Sequence, residues 1–364
     1  MRTTVLKVEN VRKTYGKSVV LNGLSFGLEE GAIGCLLGPS GCGKTTALRA
    51  VAGFEPIQGG RIRIGSDIVS SPGTHVPPER RRIGMVFQDY ALFPHLTVRQ
   101  NVAFGLRNKN ATRPRVDELL EMVGLEGIAD QFPHELSGGQ QQRTALARAL
   151  APNPRLLLMD EPFSNLDVTL RERLSIDVRD VLRRRGTTAV LVTHNQHEAF
   201  AMADHIGIMD AGGILQWDTA YQLYHRPQSP AVASFVGEGV LIDGQVVSDG
   251  RVRTGLGLLE GRFTYPCSNG CPAKVLIRPE DVAHDDDSPH QAEILQKHFR
   301  GPSILYMLKL SSGERVLSIV PSHHDHRIGD SIGIRTRVEE IVLFEANALE
   351  TSASRLLRHR EPLR

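Results

Sequence analysis

The sequence predicts an α/β core on a parallel sheet, preceded by an antiparallel β layer and followed by a small all-β barrel. Three observations carry this expectation. Ile33 to Leu37, Leu156-Leu157-Leu158-Met159 and Ala189-Val190-Leu191-Val192 are continuous apolar runs, the pattern of parallel strands covered on both faces. Helix-like segments separate these runs, as an α/β core requires. Beyond the Pro- and Gly-marked stretch from Pro227 to Gly239, helix signals largely vanish and short strands with Gly, Pro and Ser-rich turns replace them.

Taken in order, two apolar runs between Thr4 and Phe26 flank Tyr15-Gly16, and Arg61-Ile62-Arg63-Ile64 alternates with the strand period. The stretch Gly38-Pro39-Ser40-Gly41-Cys42-Gly43-Lys44-Thr45-Thr46 follows the first buried run and precedes a helix-like one. It fits G-x-x-x-x-G-K-[ST] and reads as a phosphate cradle. Its glycines let successive backbone N–H groups turn toward one anion, and the next helix adds its positive end. Lys44 can then reach the outer phosphates and Thr45 can hold Mg²⁺. Val116, Leu119, Leu120 and Val123 repeat at helical spacing and Gly124 closes that helical insert. A second helix is expected from Ser137, where a hydroxyl cap and two glycines make another anion site. The run ending at Met159 delivers Asp160 and Glu161 at a strand end, as a metal-water ligand and a water-polarising base. Leu170, Leu174, Val178, Val181 and Leu182 form one apolar helix face, and Glu198 to Met202 continue as a short helix. In the last part Lys274 to Ile277, Ser303 to Leu310, Arg315 to Val320 and Ile332 to Phe344 read as short strands, and 285–289 as an exposed loop.

The bulk properties exclude some classes. A chain of 364 residues with a formal net charge of +2 is expected to hold two domains and gives no general electrostatic reason to bind nucleic acid. The last residues, with Arg355, Arg358, Arg360 and Arg364, are locally basic. No stretch reaches the roughly 18 apolar residues of a membrane span, and no signal-peptide core is visible, so a cytoplasmic location is expected. Four cysteines make no disulfide framework, and Cys267 and Cys271 form an isolated C-x-x-x-C.

Leu136-Ser137-Gly138-Gly139-Gln140, followed by Gln141-Gln142-Arg143 and lying just before the Asp160-Glu161 strand, resembles the signature of ATP-binding-cassette ATPases. Gln88 after Met85-Val86-Phe87, Ser164-Asn165-Leu166-Asp167, and His194 after Thr193 resemble that family's Q-loop, D-loop and switch histidine. The resemblance implies an α/β P-loop NTPase with a RecA-like core, an antiparallel β subdomain and a helical subdomain at about 89–152. This nucleotide-binding domain is expected to span 1–236, with an OB-like regulatory barrel of the TOBE kind at 237–350 and a basic tail at 351–364. It further implies ATP and Mg²⁺ as cofactors, Tyr15 stacked on adenine, and Thr45, Gln88 and Asp160 around the metal. Glu161, His194, Gln88 and Lys44 are the implied catalytic set, with Gly38 to Thr46 and Asp167 lining the nucleotide. Two copies are expected to pack head to tail, so that Ser137, Gly138, Gly139 and Gln140 of one close over the ATP held by the other.

Pro77-Pro78-Glu79-Arg80-Arg81-Arg82-Ile83-Gly84, Leu92-Phe93-Pro94-His95-Leu96-Thr97-Val98 and Leu276-Ile277-Arg278-Pro279-Glu280 are similar to an importer subgroup for oligosaccharides, polyamines, oxyanions and ferric iron. Ser234 to Leu241 resembles its ferric-iron members most. Sulfate, polyamine, phosphonate and sugar import are the alternatives. The expected partners are two transmembrane permease subunits or one fused permease, reached through Gln88 to Phe104, and indirectly an extracytoplasmic solute-binding protein. The expected place is peripheral, at the cytoplasmic face of a bacterial inner membrane. A stand-alone P-loop kinase or GTPase needs no Ser137-Gly138-Gly139 signature, and intact Glu161 and His194 speak against a degenerate ATP sensor. A soluble cassette acting on DNA or ribosomes usually carries two cassettes or a long coiled coil. Two further readings concern side chains. Cys42, at a helix N-terminal turn, is expected to favour its thiolate. His323, His324 and His326 with Asp325 offer a metal reading beside that of an ordinary polar loop after Pro321.

Overall fold

The computed structural model describes residues 3–106 and 109–345. The arginines of the expected basic tail lie outside the described residues. The chain separates into two compact units between Ala220 and Tyr221, earlier than the boundary expected after 236.

The first unit opens with a long hairpin, Thr4–Tyr15 against Ser18–Glu29, which turns at Gly16. Gly59–Ile64, Asp67–Ser71 and Thr74–His75 complete a five-stranded antiparallel sheet, the layer that the alternation around Ile62 predicts. Next comes the central sheet of six strands, in the spatial order 213–218, 205–210, 33–37, 189–193, 156–160 and 83–86. Its members pair in parallel except for the hairpin at the 213–218 edge. Every residue of Ile33–Leu37, Leu156–Asp160 and Ala189–Thr193 is buried, which is why these strands show no alternation.

The edge strand Ile83–Val86 was not separable by pattern, because four residues with intermediate and buried positions carry too little periodicity. Arg81, just before it, is buried and makes five hydrogen bonds, to the carbonyls of Val76, Ala50, Val51 and Val69 and to the Ser70 hydroxyl. Burial pulls its guanidinium down to about 10. One side chain thereby ties the end of the Lys44–Ala52 helix to the antiparallel layer.

Helices Val98–Ala103, Lys109–Met122 and Gly138–Leu150 form the insert between strands 83–86 and 156–160, with Val116, Leu119, Leu120 and Val123 buried as the spacing predicts. Asp167 caps the helix Val168–Arg184 by accepting from Leu170 N at 3.0 Å, and Leu174, Val178, Val181 and Leu182 are buried on its inner face.

The second unit is a barrel-like all-β region of two antiparallel-rich sheets, preceded by the short helix Pro230–Phe235. One sheet has six strands centred on Val240–Ser248, Pro272–Ile277 and Glu340–Glu345, and the other five, centred on Ser331–Thr336, Gln291–Phe299 and Ser303–Lys309. Val252, Val275, Ile277, Ile294, Ile304, Tyr306 and Leu308 share their core. The expected run Ile332 to Phe344 breaks into two strands belonging to different sheets. Arg278 explains where the unit begins. Its guanidinium donates to the carbonyls of Tyr224, Ala233 and Glu238 at 3.1, 3.2 and 3.0 Å and lies 4.3 Å over the Tyr224 ring, fastening the preceding helical stretch to the barrel.

Candidate functional site

The cradle follows the buried strand Ile33–Leu37 and ends in the helix Lys44–Ala52. Two of its glycines are sterically required. A Cβ on Gly38 would sit 2.4 Å from Met209 O, and one on Gly43, at φ 103°, would sit 2.6 Å from Val20 O. Pro39, Ser40 and Gly41 are exposed at the loop's outer surface, and Thr45 and Thr46 are half-buried behind it. Lys44 Nζ is held over the loop, donating to the carbonyls of Gly38 and Pro39 at 2.8 and 2.9 Å. Tyr15, 46% exposed, carries Lys13 Nζ 4.8 Å from its ring centroid and interacts with Glu55 and Thr46. An open aromatic face therefore stands beside the cradle.

Cys42 departs from expectation. It is buried, with Sγ packed where a Gly38 side chain would be, and burial pushes the thiol up although Lys44 pulls the other way. The helix proper begins at Lys44, after Gly43, so Cys42 turns into the core and desolvation outweighs the helix dipole. The thiolate is disfavoured.

Strand 156–160 brings Asp160 to the cradle: Thr45 Oγ1 donates to Asp160 Oδ1 at 3.2 Å. Burial raises the Asp160 carboxyl, opposed by the Thr45 bond and by Arg49 and Lys44. A hydroxyl and a carboxylate this close are hard oxygen donors suited to Mg²⁺. Glu161 adopts φ 43°, an uncommon conformation for a non-glycine residue, and its Oε2 lies 3.2 Å from His194 Nδ1. The adjacent strands 156–160 and 189–193 deliver this pair.

Gln88 is exposed directly after strand 83–86. Its carbonyl accepts from Asn165 Nδ2 at 3.1 Å, which joins the predicted Q-loop to the predicted D-loop. At the start of the helix Gly138–Leu150, Ser137 and Gln140 form a reciprocal capping box, with Ser137 exposed, Gly138 half-buried and Gly139 buried against Leu174. Ser137 Oγ accepts from Gln140 N at 3.4 Å at this exposed helix start.

Sequence reading missed several supports. Arg148 donates to the carbonyls of Tyr90 and Ala91 at 2.7 and 2.6 Å and lies 5.5 Å from the Phe93 ring. The helix that begins at the signature thus ends by gripping the segment after Gln88. Asn101, fully buried, accepts from Phe93 N and donates to the carbonyls of Phe93, Leu96 and Thr97. Thr193 Oγ1 donates to buried Glu198 at 2.5 Å and accepts from Asn195 N at 3.0 Å, which fixes the turn carrying His194. No periodicity marks these residues: Arg148 acts on carbonyls 57 and 58 residues away, and Asn101 and Thr193 act on polar groups in nearby turns. Cys267 and Cys271 are both free thiols, half-buried, and Cys267 is raised first by burial and then by its bond with Cys271.

Residues 21–164 match the family described as ABC transporter, and 275–344 the family described as TOBE domain. The chain is 39% identical over 360 residues to the spermidine/putrescine import ATP-binding protein of Pseudomonas fluorescens, covering 94% of this chain and 98% of that one. It is 42% identical over 316 residues to an Fe(3+) ions import ATP-binding protein of Rhodococcus jostii, covering 86% and 89%. With the corresponding protein of Agrobacterium fabrum the identity is 40%, over 93% and 97%. Among solved structures, CbiO1 from Clostridium perfringens, part of the ABC transporter complex CbiONQ, has a TM-score of 0.55 at 28% identity, covering 60% of this chain and 89% of that one.

Proposed function

Because this chain belongs to the ATP-binding subunits of ABC importers, we propose that two copies hydrolyse MgATP between them and drive a membrane permease. The observation that carries the proposal is the Glu161–His194 contact at 3.2 Å beside the Thr45–Asp160 pair. Glu161 acts as general base toward water, and His194 orients its carboxylate and reaches the γ-phosphate. Lys44 leaves the Gly38 and Pro39 carbonyls for the phosphates, and Tyr15 offers its open face to adenine. Thr45, Asp160 and Gln88 would hold Mg²⁺, which would neutralise phosphate charge. Ser137 and Gly139 of the second copy, with Gln140 and the Asp167 segment, complete the far side and exclude water. Phosphate release from Glu161→Gln is expected to fall at least about 100-fold with equilibrium ATP binding retained. Wild-type turnover in that variant removes Glu161 from the role.

The permease contact is assigned to 88–104, where Phe104 is 62% exposed and its ring centroid lies 4.1 Å from that of Phe93. Arg148 links this surface to the signature helix. Among the described residues no helix is long and apolar enough to cross a membrane, which accords with peripheral attachment to the cytoplasmic face through such a permease.

Ferric iron is the proposed cargo, supported by Ser234 to Leu241 and by relatives at 40 and 42% identity. Spermidine and putrescine are the second reading, favoured by the 39% match that spans 94% of the chain. Uptake of radiolabelled ferric iron and spermidine by cells lacking this chain separates the two: loss of iron uptake alone is expected, and loss of spermidine uptake alone reverses the assignment.

A further inference from the structure

Three imidazoles of the second unit converge although only two are near neighbours in sequence. His284 ends the strand Val282–His284, while His324 and His326 lie in the turn after Arg315–Pro321. One ring nitrogen from each lies within 4.8 Å of the other two. The ring centroid of His284 is 4.8 Å from that of His324 and 4.9 Å from that of His326. The expected group of consecutive residues is therefore corrected. Asp325 is engaged by Lys297, and His323 lies outside the converging set, its place taken by His284 from another strand.

Packing alone leaves part of this arrangement unexplained. Nε2 of His326 is buried without a hydrogen-bond partner, whereas Nε2 of His284 has Asp286 Oδ1 at 3.1 Å. Buried polar atoms are ordinarily satisfied. The cluster is also held in place from behind. The hydroxyl of fully buried Tyr306 donates to His324 O at 2.8 Å and accepts from His326 N at 2.9 Å. Lys297 donates to His326 O at 3.2 Å. Two ligand-bearing residues thus hang from one phenol on a barrel strand.

We propose that His284, His324 and His326 bind a divalent transition-metal ion, with Asp286 as the oxygen ligand that completes the set. Three imidazoles and a carboxylate suit Zn²⁺ and its neighbours in the first row rather than Mg²⁺ or Ca²⁺. Tetrahedral zinc holds its ligand atoms roughly 3.3 Å apart. The Asp286–His284 spacing of 3.1 Å is close to that, and the three ring nitrogens lie within 4.8 Å of one another. The ion would clamp the turn that follows Pro321 to the strand that ends at His284. The site is independent of the nucleotide reading.

The test is calorimetric titration of Zn²⁺ into the full chain, stripped of metal and free of nucleotide and Mg²⁺. One equivalent per chain at micromolar affinity or tighter is expected. His284→Ala and His326→Ala are expected to weaken it about 100-fold or more, with folding checked by circular dichroism, while His323→Ala leaves it unchanged. X-ray absorption of the zinc-bound wild-type chain, which needs no variant, is expected to show about three imidazoles and no sulfur. Absence of stoichiometric binding, unchanged affinity in a folded His284→Ala, His326→Ala double variant, or sulfur ligation from Cys267 and Cys271 overturns the proposal.

Discussion

Asp160 and Glu161 are neighbours whose environments assign them different work. Asp160 is 6% exposed and hydrogen-bonded to Thr45, whereas Glu161 turns through a positive φ toward His194 with its side chain 21% exposed. The proposed roles follow these environments, with Asp160 beside the metal and Glu161 toward water. Cys42 shows the same rule with the opposite outcome. Its place in the cradle suggests a reactive thiolate, but burial raises its pKa. Iodoacetamide at pH 7.5 is expected to modify Cys42 in the folded chain at least about tenfold more slowly than a free thiol, with the rate climbing as pH rises. Peptide mass spectrometry follows this, and modification as fast as a free thiol contradicts the burial argument. The residue identities of the site were legible because phosphate and metal chemistry restrict residue types. The direction in which Cys42 points was not, since it depends on where the helix starts and on Met209 behind the loop.

At the scale of elements, backbone clamps organise both units. Arg81 and Arg278 each fall inside a run that resembles the importer subgroup, and each proves to be a guanidinium spent on main-chain carbonyls. Lysine lacks that fork. The Asp281 turn beside Arg278 adds a pH dependence. Burial raises its carboxyl to about 6, while the bond from Arg278 N at 2.7 Å opposes the shift. The folded chain then binds a proton that the unfolded chain has released, so its contribution to stability is present at low pH and is lost as pH rises toward 6. Asp281→Asn keeps an oxygen for Arg278 N and removes the titration. Its stability relative to wild type, measured by urea unfolding, is expected to improve from pH 4.5 to pH 7 by about 2 kcal/mol at most. An equal gap at both pH values contradicts the assignment. Continuous apolar runs made the parallel strands 33–37, 156–160 and 189–193 readable. Gln291–Phe299 and Val240–Ser248 were not, because exposed polar positions and Gly244 interrupt their pattern.

For the whole molecule, the central claim is that the cradle is half of a site. Within one chain, Lys44, Thr45, Asp160, Glu161 and His194 gather at the C-terminal ends of the central strands. Ser137 instead caps the start of a separate helix and is exposed there. In the proposed pairing a second copy would supply Ser137, and that helix end would meet an anion. The sequence signature pointed to this division. The most direct measurement is the mass of Glu161→Gln by light scattering, with and without MgATP. The account predicts 40.1 kDa without nucleotide and twice that mass with MgATP, and the same mass under both conditions would contradict it.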